Sequence, residues 1–162
     1  NESSIKHPND YPIIGFDKDL NSIIKKNKFF FITLGQIKDP SNRVKFFKIL
    51  KKQNIIIPLI ISPKSYVSKK SIIGEGTIVM HFATINSKTI IGKNCIINSQ
   101  ALIEHDVSIG DHCHISTGAK INGSTQIGDK VFIGSGAIIY QGVKIKSNSI
   151  IPAGYIVKKD IK

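Results

Sequence analysis

The sequence predicts a mainly β fold: a left-handed parallel β-helix of hexapeptide repeats, preceded by a small, incomplete N-terminal α/β unit of Rossmann-like order. Three observations predict it. A β-branched aliphatic recurs every six residues from Val67 to Val157, sixteen times without insertion. A second series, four residues further on, runs through small side chains from Ser71 to Ser149. The residues before Val67 lack this period and read as short strands alternating with helices.

The aliphatic series comprises Val67, Ile73, Val79, Ile85, Ile91, Ile97, Ile103 and Ile109, then Ile115, Ile121, Ile127, Ile133, Ile139, Ile145, Ile151 and Val157. A helix repeats every 3.6 residues and a half-buried strand every two, so neither accounts for six. Three short strands per triangular coil do, with equivalent residues stacked eighteen apart. The aliphatic fills the interior and the small residue (Thr77, Ala83, Cys95 and their equivalents) fits the corner. Each buried Ile contributes about 1.5–3 kcal/mol. Gly often follows the aliphatic, as at Gly74, Gly92, Gly110, Gly128 and Gly134, where turns are expected to need unusual backbone angles. The end coils of such a stack expose unpaired edges. The stretch before Val67 is the candidate cap for the N-terminal end.

That stretch divides the chain into a partial α/β substrate-binding unit, 1–63, and the β-helix, 64–162. Asp17–Lys26 reads as a short helix and Phe29–Leu34 as a buried strand ending at Gly35. Ser41 or Asp39 can cap a helix over roughly 41–53, with Val44, Phe47 and Leu50 on one face. Ile55–Ile61 is a second strand, and Pro63 marks the junction. The unit has no Gly-x-Gly-x-x-Gly phosphate turn.

Composition narrows the function classes. The net charge of +12 reads first as a Lys-rich solvated surface and secondly as attraction for anionic ligands; no basic stripe with interleaved aromatics and no recognisable module points to nucleic acid. No apolar run approaches membrane-spanning length, and no signal peptide is evident, so the expected location is the cytoplasm. Cys95 and Cys113 fall at core positions and read as buried thiols in a reducing compartment.

The segment Ile97–Ser116, INSQALIEHDVSIGDHCHIS, resembles the bacterial sugar acetyltransferases with a left-handed β-helix, of the sialic acid O-acetyltransferase and UDP-N-acetylbacillosamine N-acetyltransferase type. The resemblance extends over Gly118–Tyr140, over FFITLGQIKDPSNR ending at Arg43, and over LIISPKSYVS, Leu59–Ser68. It implies acetyl-CoA as acetyl donor and His105 as general base with Asp106 beside it. It places Asn98 in the site, and His114, Gly123, Ser135 and Ala153 against acetyl-CoA. It also puts Gly35 against a sugar nucleotide. The chain departs from the family's pattern in three places. The Gly-rich, His-containing N-terminal turn and the C-terminal Gly-x-Pro-Ala-Lys are absent, and Ser62 replaces a His before the junction proline.

His105 is third in its hexapeptide and therefore points outward, where Asp106 can orient it and Glu104 is the rival partner. His114 lies half a coil away, so the two meet only across a subunit boundary. That predicts a cyclic homotrimer with sites between subunits. Thr117, Ser135 and Ala153 form one ladder that can line a slot for the pantetheine arm. His81 and His112 read as surface residues.

The expected activity is acetyl transfer to the amino group of a nucleotide-linked amino sugar in bacterial surface glycan or glycoprotein biosynthesis. The alternatives are O-acetylation of a sialic or legionaminic-type nonulosonic acid and a non-catalytic truncated homologue. A γ-class carbonic anhydrase, with three His ligands at a trimer interface, is a further alternative that the His-Asp context disfavours; no metal is expected.

Overall fold

The computed structural model describes residues 12–162, so the first eleven residues of the expected front unit lie outside the described residues. Seventeen two-residue strands make three parallel sheets, each forming one face of a three-sided coil. Face one contains β1 (Ile60–Ile61), β4 (Ile78–Val79), β7 (Ile96–Ile97), β10 (His114–Ile115), β13 (Phe132–Ile133) and β16 (Ile150–Ile151). Face two contains β2 (Tyr66–Val67), β5 (Thr84–Ile85), β8 (Leu102–Ile103), β11 (Lys120–Ile121), β14 (Ile138–Ile139) and β17 (Ile156–Val157). Face three contains β3 (Ile72–Ile73), β6 (Ile90–Ile91), β9 (Ser108–Ile109), β12 (Gln126–Ile127) and β15 (Lys144–Ile145). Neighbouring strands are in register at an eighteen-residue step, as in Ile60↔Ile78 and His114↔Phe132.

From β2 onward the second residue of each strand is the predicted aliphatic. From Val79 to Val157 these side chains and the small corner series fill one continuous core, with Val67, Ile73 and Ile161 packed against it. Cys95 and Cys113 are free thiols stacked in that core. The hydrogen bond with Cys95, together with burial, holds the Cys113 thiol protonated, far above the usual thiol range.

The turns work differently from expectation. Backbone angles of the left-handed kind fall at every sixth residue from Gly76 to Gly154, just before the small corner residue. Only five of these positions are Gly, and the rest include Phe82, Lys88, Asp106 and Lys130. The glycines after the aliphatic serve close approach instead. A Cβ on Gly74 would lie 2.7 Å from the Gly92 carbonyl carbon, and one on Gly110 would run into the Asp129 carboxylate. That carboxylate folds over Gly110 to accept the Asp111 N–H at 2.8 Å; Asp111 does the same for Lys93 at 2.7 Å.

The front unit contains α1 (Leu20–Lys26), preceded by a short 3₁₀ turn at Asp17–Asp19, and α2 (Ser41–Lys52). Both helices fall where the sequence puts them. Pro40, not Ser41, occupies the N-cap; the Asp39 carboxylate, one residue further out, accepts the Ser41 N–H at 2.8 Å. Val44, Phe47 and Leu50 are buried as expected, and so is Arg43.

The expected strand Phe29–Leu34 is reduced to a single parallel bridge, Phe29↔Ile56. The physical reason is that the carbonyls of Ile32 and Leu34 are satisfied by the Arg43 guanidinium instead of a neighbouring strand. The segment Ile55–Ile61 is split: Ile56 bridges to Phe29, whereas Ile60–Ile61 is the first strand of the coil. The contacts of the unit run along the corner between faces three and one, through Gly76, Asn94 and His112, rather than across the coil's end. No helix among the described residues is long and apolar enough to cross a membrane.

Candidate active site

Two groups of side chains form, on different edges of the coil. The first lies at the corner between faces two and three. Leaving β8, the chain turns through Glu104, His105 and Asp106, the last with φ 57°. Asx-type side chains tolerate that angle best among non-glycine residues. The turn brings the Asp106 carboxylate to 2.8 Å from His105 Nδ1, and both side chains remain exposed. Asp106 therefore favours the tautomer with the proton on Nδ1, leaving Nε2 free to accept one. Glu104, the rival, is engaged by the Asn86 amide at 2.9 Å.

Gly123 lies one coil further on, directly against the imidazole. A Cβ there would be 2.8 Å from His105 Cε1 and 3.0 Å from Nε2. On one chain Gly123 therefore stands beside His105, on a different edge of the coil from His114, Ser135 and Ala153. The His105 carbonyl also accepts the Ser124 N–H at 3.0 Å, fixing the turn to the next coil.

The second group lies on face one and its edge toward face two. Residues 31–35 of the front unit, with Arg43, close a pocket of about 250 Å³ over Ile78, Met80, Ile96, Asn98 and His114. Gly35 lines it, so three of the residues expected to bind ligand (Gly35, Asn98 and His114) come together here. His114 is 8% exposed. Its Nδ1 bonds to the Gln36 carbonyl, and Asn98 Nδ2 stands 3.3 Å from Nε2. Burial lowers the His114 pKa, opposed by the Gln36 hydrogen bond and reinforced by Arg43. Ser135 lies past His114 on the same edge, its hydroxyl 2.9 Å from that of Ser116; Ala153, eighteen residues on, continues the ladder with Thr117.

Sequence reasoning missed three residues. Arg43, Gln36 and His112 carried no assigned role, yet they form the junction between front unit and coil. His112 is half-buried rather than a free surface residue: its ring packs edge-on to Phe47 at 5.3 Å and bonds to Asn94, and burial lowers its pKa. An Arg on the apolar face of α2, one residue before Val44, was the available signal. His81 is exposed, as read, and pairs with Ser62 at 2.6 Å. Among the described residues no group of three or more His, Cys, Asp or Glu is placed to hold a metal ion.

Comparison with known proteins follows the same outline. The described solenoid matches the bacterial transferase hexapeptide (six repeats) family over residues 70–105, 88–123 and 124–154. Among solved structures, the chain is similar to a histidine-to-asparagine mutant of perosamine N-acetyltransferase from Caulobacter crescentus in complex with CoA and GDP-perosamine. The identity is 27% and the TM-score 0.90, over 97% of this chain and 74% of that one. It is similar also to PerB of the same organism with the same ligands, at 29% identity and TM-score 0.87, over 93% and 72% of the two chains. The acetyltransferase domain of PglB from Neisseria gonorrhoeae, in complex with acetyl coenzyme A, gives 29% identity and TM-score 0.88 over 99% and 77%. No curated protein sequence matches the chain. The resemblance drawn from Ile97–Ser116 to bacterial sugar acetyltransferases is borne out. With more than half its length in the matched repeats, the chain belongs to the bacterial transferase hexapeptide family and is an acyltransferase of that family.

Proposed function

We propose that the chain transfers the acetyl group of acetyl-CoA to the amino group of a nucleotide-linked amino sugar, with His105 as general base. The observation that carries this is the exposed His105–Asp106 pair, seated on Gly123, in a fold that matches sugar N-acetyltransferases solved with CoA and GDP-perosamine. His105 Nε2 takes a proton from the acceptor amine as its nitrogen attacks the thioester carbonyl carbon. The C–S bond then breaks, and the sulfur leaves with the proton returned by the imidazolium. Asp106 stabilises that imidazolium without becoming protonated. Backbone at Gly123 stands beside the reacting atoms and supplies an N–H for the oxyanion.

On one chain, His105 and the Gly35–Asn98–His114 pocket occupy different edges of the coil. A cyclic homotrimer resolves this, setting the base of one subunit against the pocket of the next. In this reading Ser135 and Ala153 line the slot for the pantetheine arm, and residues 1–63 act as the acceptor-binding unit of the 64–162 transferase. Free buried thiols at Cys95 and Cys113 suit the reducing cytoplasm.

The test is release of free thiol from acetyl-CoA across a panel of UDP- and GDP-linked amino sugars and free nonulosonic acids. Turnover is expected with a nucleotide-linked amine. His105→Ala should lower kcat by about 10²–10⁴-fold. Wild-type turnover by that variant refutes the mechanism, and light scattering that reports a monomer refutes the shared site.

A further inference from the structure

The front unit meets the coil through a polar clasp. Arg43, 2% exposed, donates from Nη1 to the carbonyls of Ile32 and Leu34 in the front segment. On the coil side its Nε reaches the Asn94 carbonyl at 3.3 Å and its Nη2 the Gly76 carbonyl at 3.4 Å. None of the four partners is a carboxylate. Burial lowers the guanidinium to about 10, so it stays charged at neutral pH. Beside it, Gln36 donates from Nε2 to the His112 carbonyl at 2.6 Å, while its own main-chain carbonyl accepts from His114 Nδ1. Among the described residues, the buried side-chain acceptors lacking a partner are Gln36 Oε1 and Asn94 Oδ1, both on this clasp.

A buried charge without a counter-charge and two unpaired acceptors make a costly seam. Apolar replacements of buried charged groups are often neutral or stabilising, so stability alone does not account for this clasp. What the clasp delivers is one orientation of residues 32–36 over face one, and that orientation dictates the state of His114.

We propose that Arg43 and Gln36 are positioning residues: they hold His114 as its Nδ1-protonated tautomer and aim the bare Nε2, beside Asn98, into the pocket to accept a hydrogen bond from a ligand N–H or O–H. The proposal rests on the pocket being a ligand site of the transferase. A carbonyl only accepts, so the bond to Gln36 requires the proton on Nδ1, and a neutral ring then carries its lone pair on Nε2. Asn98 cannot turn to change this, because its Oδ1 is tied to the Ser99 N–H at 2.7 Å. Its Nδ2 lies 3.3 Å from Nε2, long enough for a better donor to take the lone pair. Phe132 fixes the ring plane edge-on at 5.2 Å.

The lock is tested on the full chain labelled with ¹⁵N-histidine. Long-range ¹H–¹⁵N spectra at neutral pH should show His114 protonated at Nδ1 and bare at Nε2. Saturation with acetyl-CoA in one arm, and with a UDP- or GDP-linked amino sugar in the other, should move the Nε2 resonance in the arm that supplies the donor. In Gln36→Ala and in Arg43→Lys the spectrum should become a mixture of tautomers. KM for that ligand should rise about fivefold, the worth of one ordinary hydrogen bond, with kcat changed less. His114→Asn keeps a donor near Nδ1 and lacks Nε2, so it should fold and show the same KM effect. The proposal is overturned by a wild-type Nε2–H, by an Nε2 that neither ligand moves, or by scrambled tautomers with unchanged KM. Absence of thiol release from the wild type counts against the proposed activity alone, since the spectra and the acetyl-CoA titration still decide the lock. If Arg43→Lys fails to fold, Gln36→Ala and His114→Asn carry the test.

Discussion

Gly123 shows how much one missing Cβ decides at the candidate site. His105 lies against it so closely that an added methyl group would displace the imidazole, and the imidazole is free to swing because it faces solvent. Gly123→Ala should therefore separate activity from stability. We expect kcat to fall about 10- to 100-fold, the cost of misplacing a catalytic group by about 1 Å, with little change in the thermal midpoint. A large drop in the midpoint would show that Gly123 is needed for the coil itself. The pairing of His105 with Asp106 was legible in the sequence because adjacent residues at a turn need no tertiary partner to meet. The meeting of Gly35, Asn98 and His114 was not, because it depends on the path of residues 31–36 over face one.

At the scale of elements, two kinds of glycine in the repeat have opposite physical meaning. Gly110 has an ordinary backbone angle but no room, whereas Gly136 has φ 66° and open space around its Cα. Gly110→Ala should cost about 1–3 kcal/mol, an overpacking penalty against Gly128 backbone and the Asp129 carboxylate. Gly136→Ala should cost about 1–2 kcal/mol, the left-handed penalty alone. Pairing each with an Asp129→Ala background distinguishes them, because removing that carboxylate relieves part of the Gly110→Ala clash and none of the Gly136→Ala strain. Conversely, Lys88 holds φ 59° on an exposed turn, so Lys88→Gly should raise stability by about 0.5 kcal/mol in urea denaturation. The six-residue period identified the strands but misassigned the glycines. A period reports which residues stack, and not whether a glycine relieves a torsion or a contact. The front strand failed for a related reason: Phe29–Leu34 has strand-like residues, but Arg43 takes two of the carbonyls a neighbouring strand would need.

At the scale of the whole molecule, the junction between front unit and coil is built around one buried histidine, His114, and one half-buried histidine, His112. His112 and His114 both have pKa values lowered in the folded state, chiefly by burial. The unfolded chain, with histidines near about 6.5, therefore binds more protons than the folded one as pH falls. Stability should rise with pH through the region below about 6.5 and level off above it. The charged groups bearing on this are Asp111, Asp129, Lys130 and Lys48 around His112, and Arg43 beside His114. Denaturation midpoints at mildly acidic and neutral pH should differ for the wild type, and the difference should shrink in His112→Gln. A wild type equally stable across that range would contradict the burial of these rings at the junction.

By itself the sequence determined the coil, because each β-branched residue carries its own burial and a strict period of six stacks into only one kind of core. It determined α1 and α2 through caps and an apolar face, and it placed His105 and Asp106 at one outward turn, while their catalytic reading came from the family resemblance of Ile97–Ser116. Only the tertiary structure decided where the front unit sits, along a corner and not across an end. That placement is set by Arg43, Gln36 and His112 together with His114, through hydrogen bonds whose partners lie 9 to 78 residues apart in the chain. Hydrogen bonds of this kind leave no periodic trace, so the geometry of the pocket appears only when the two units are folded together.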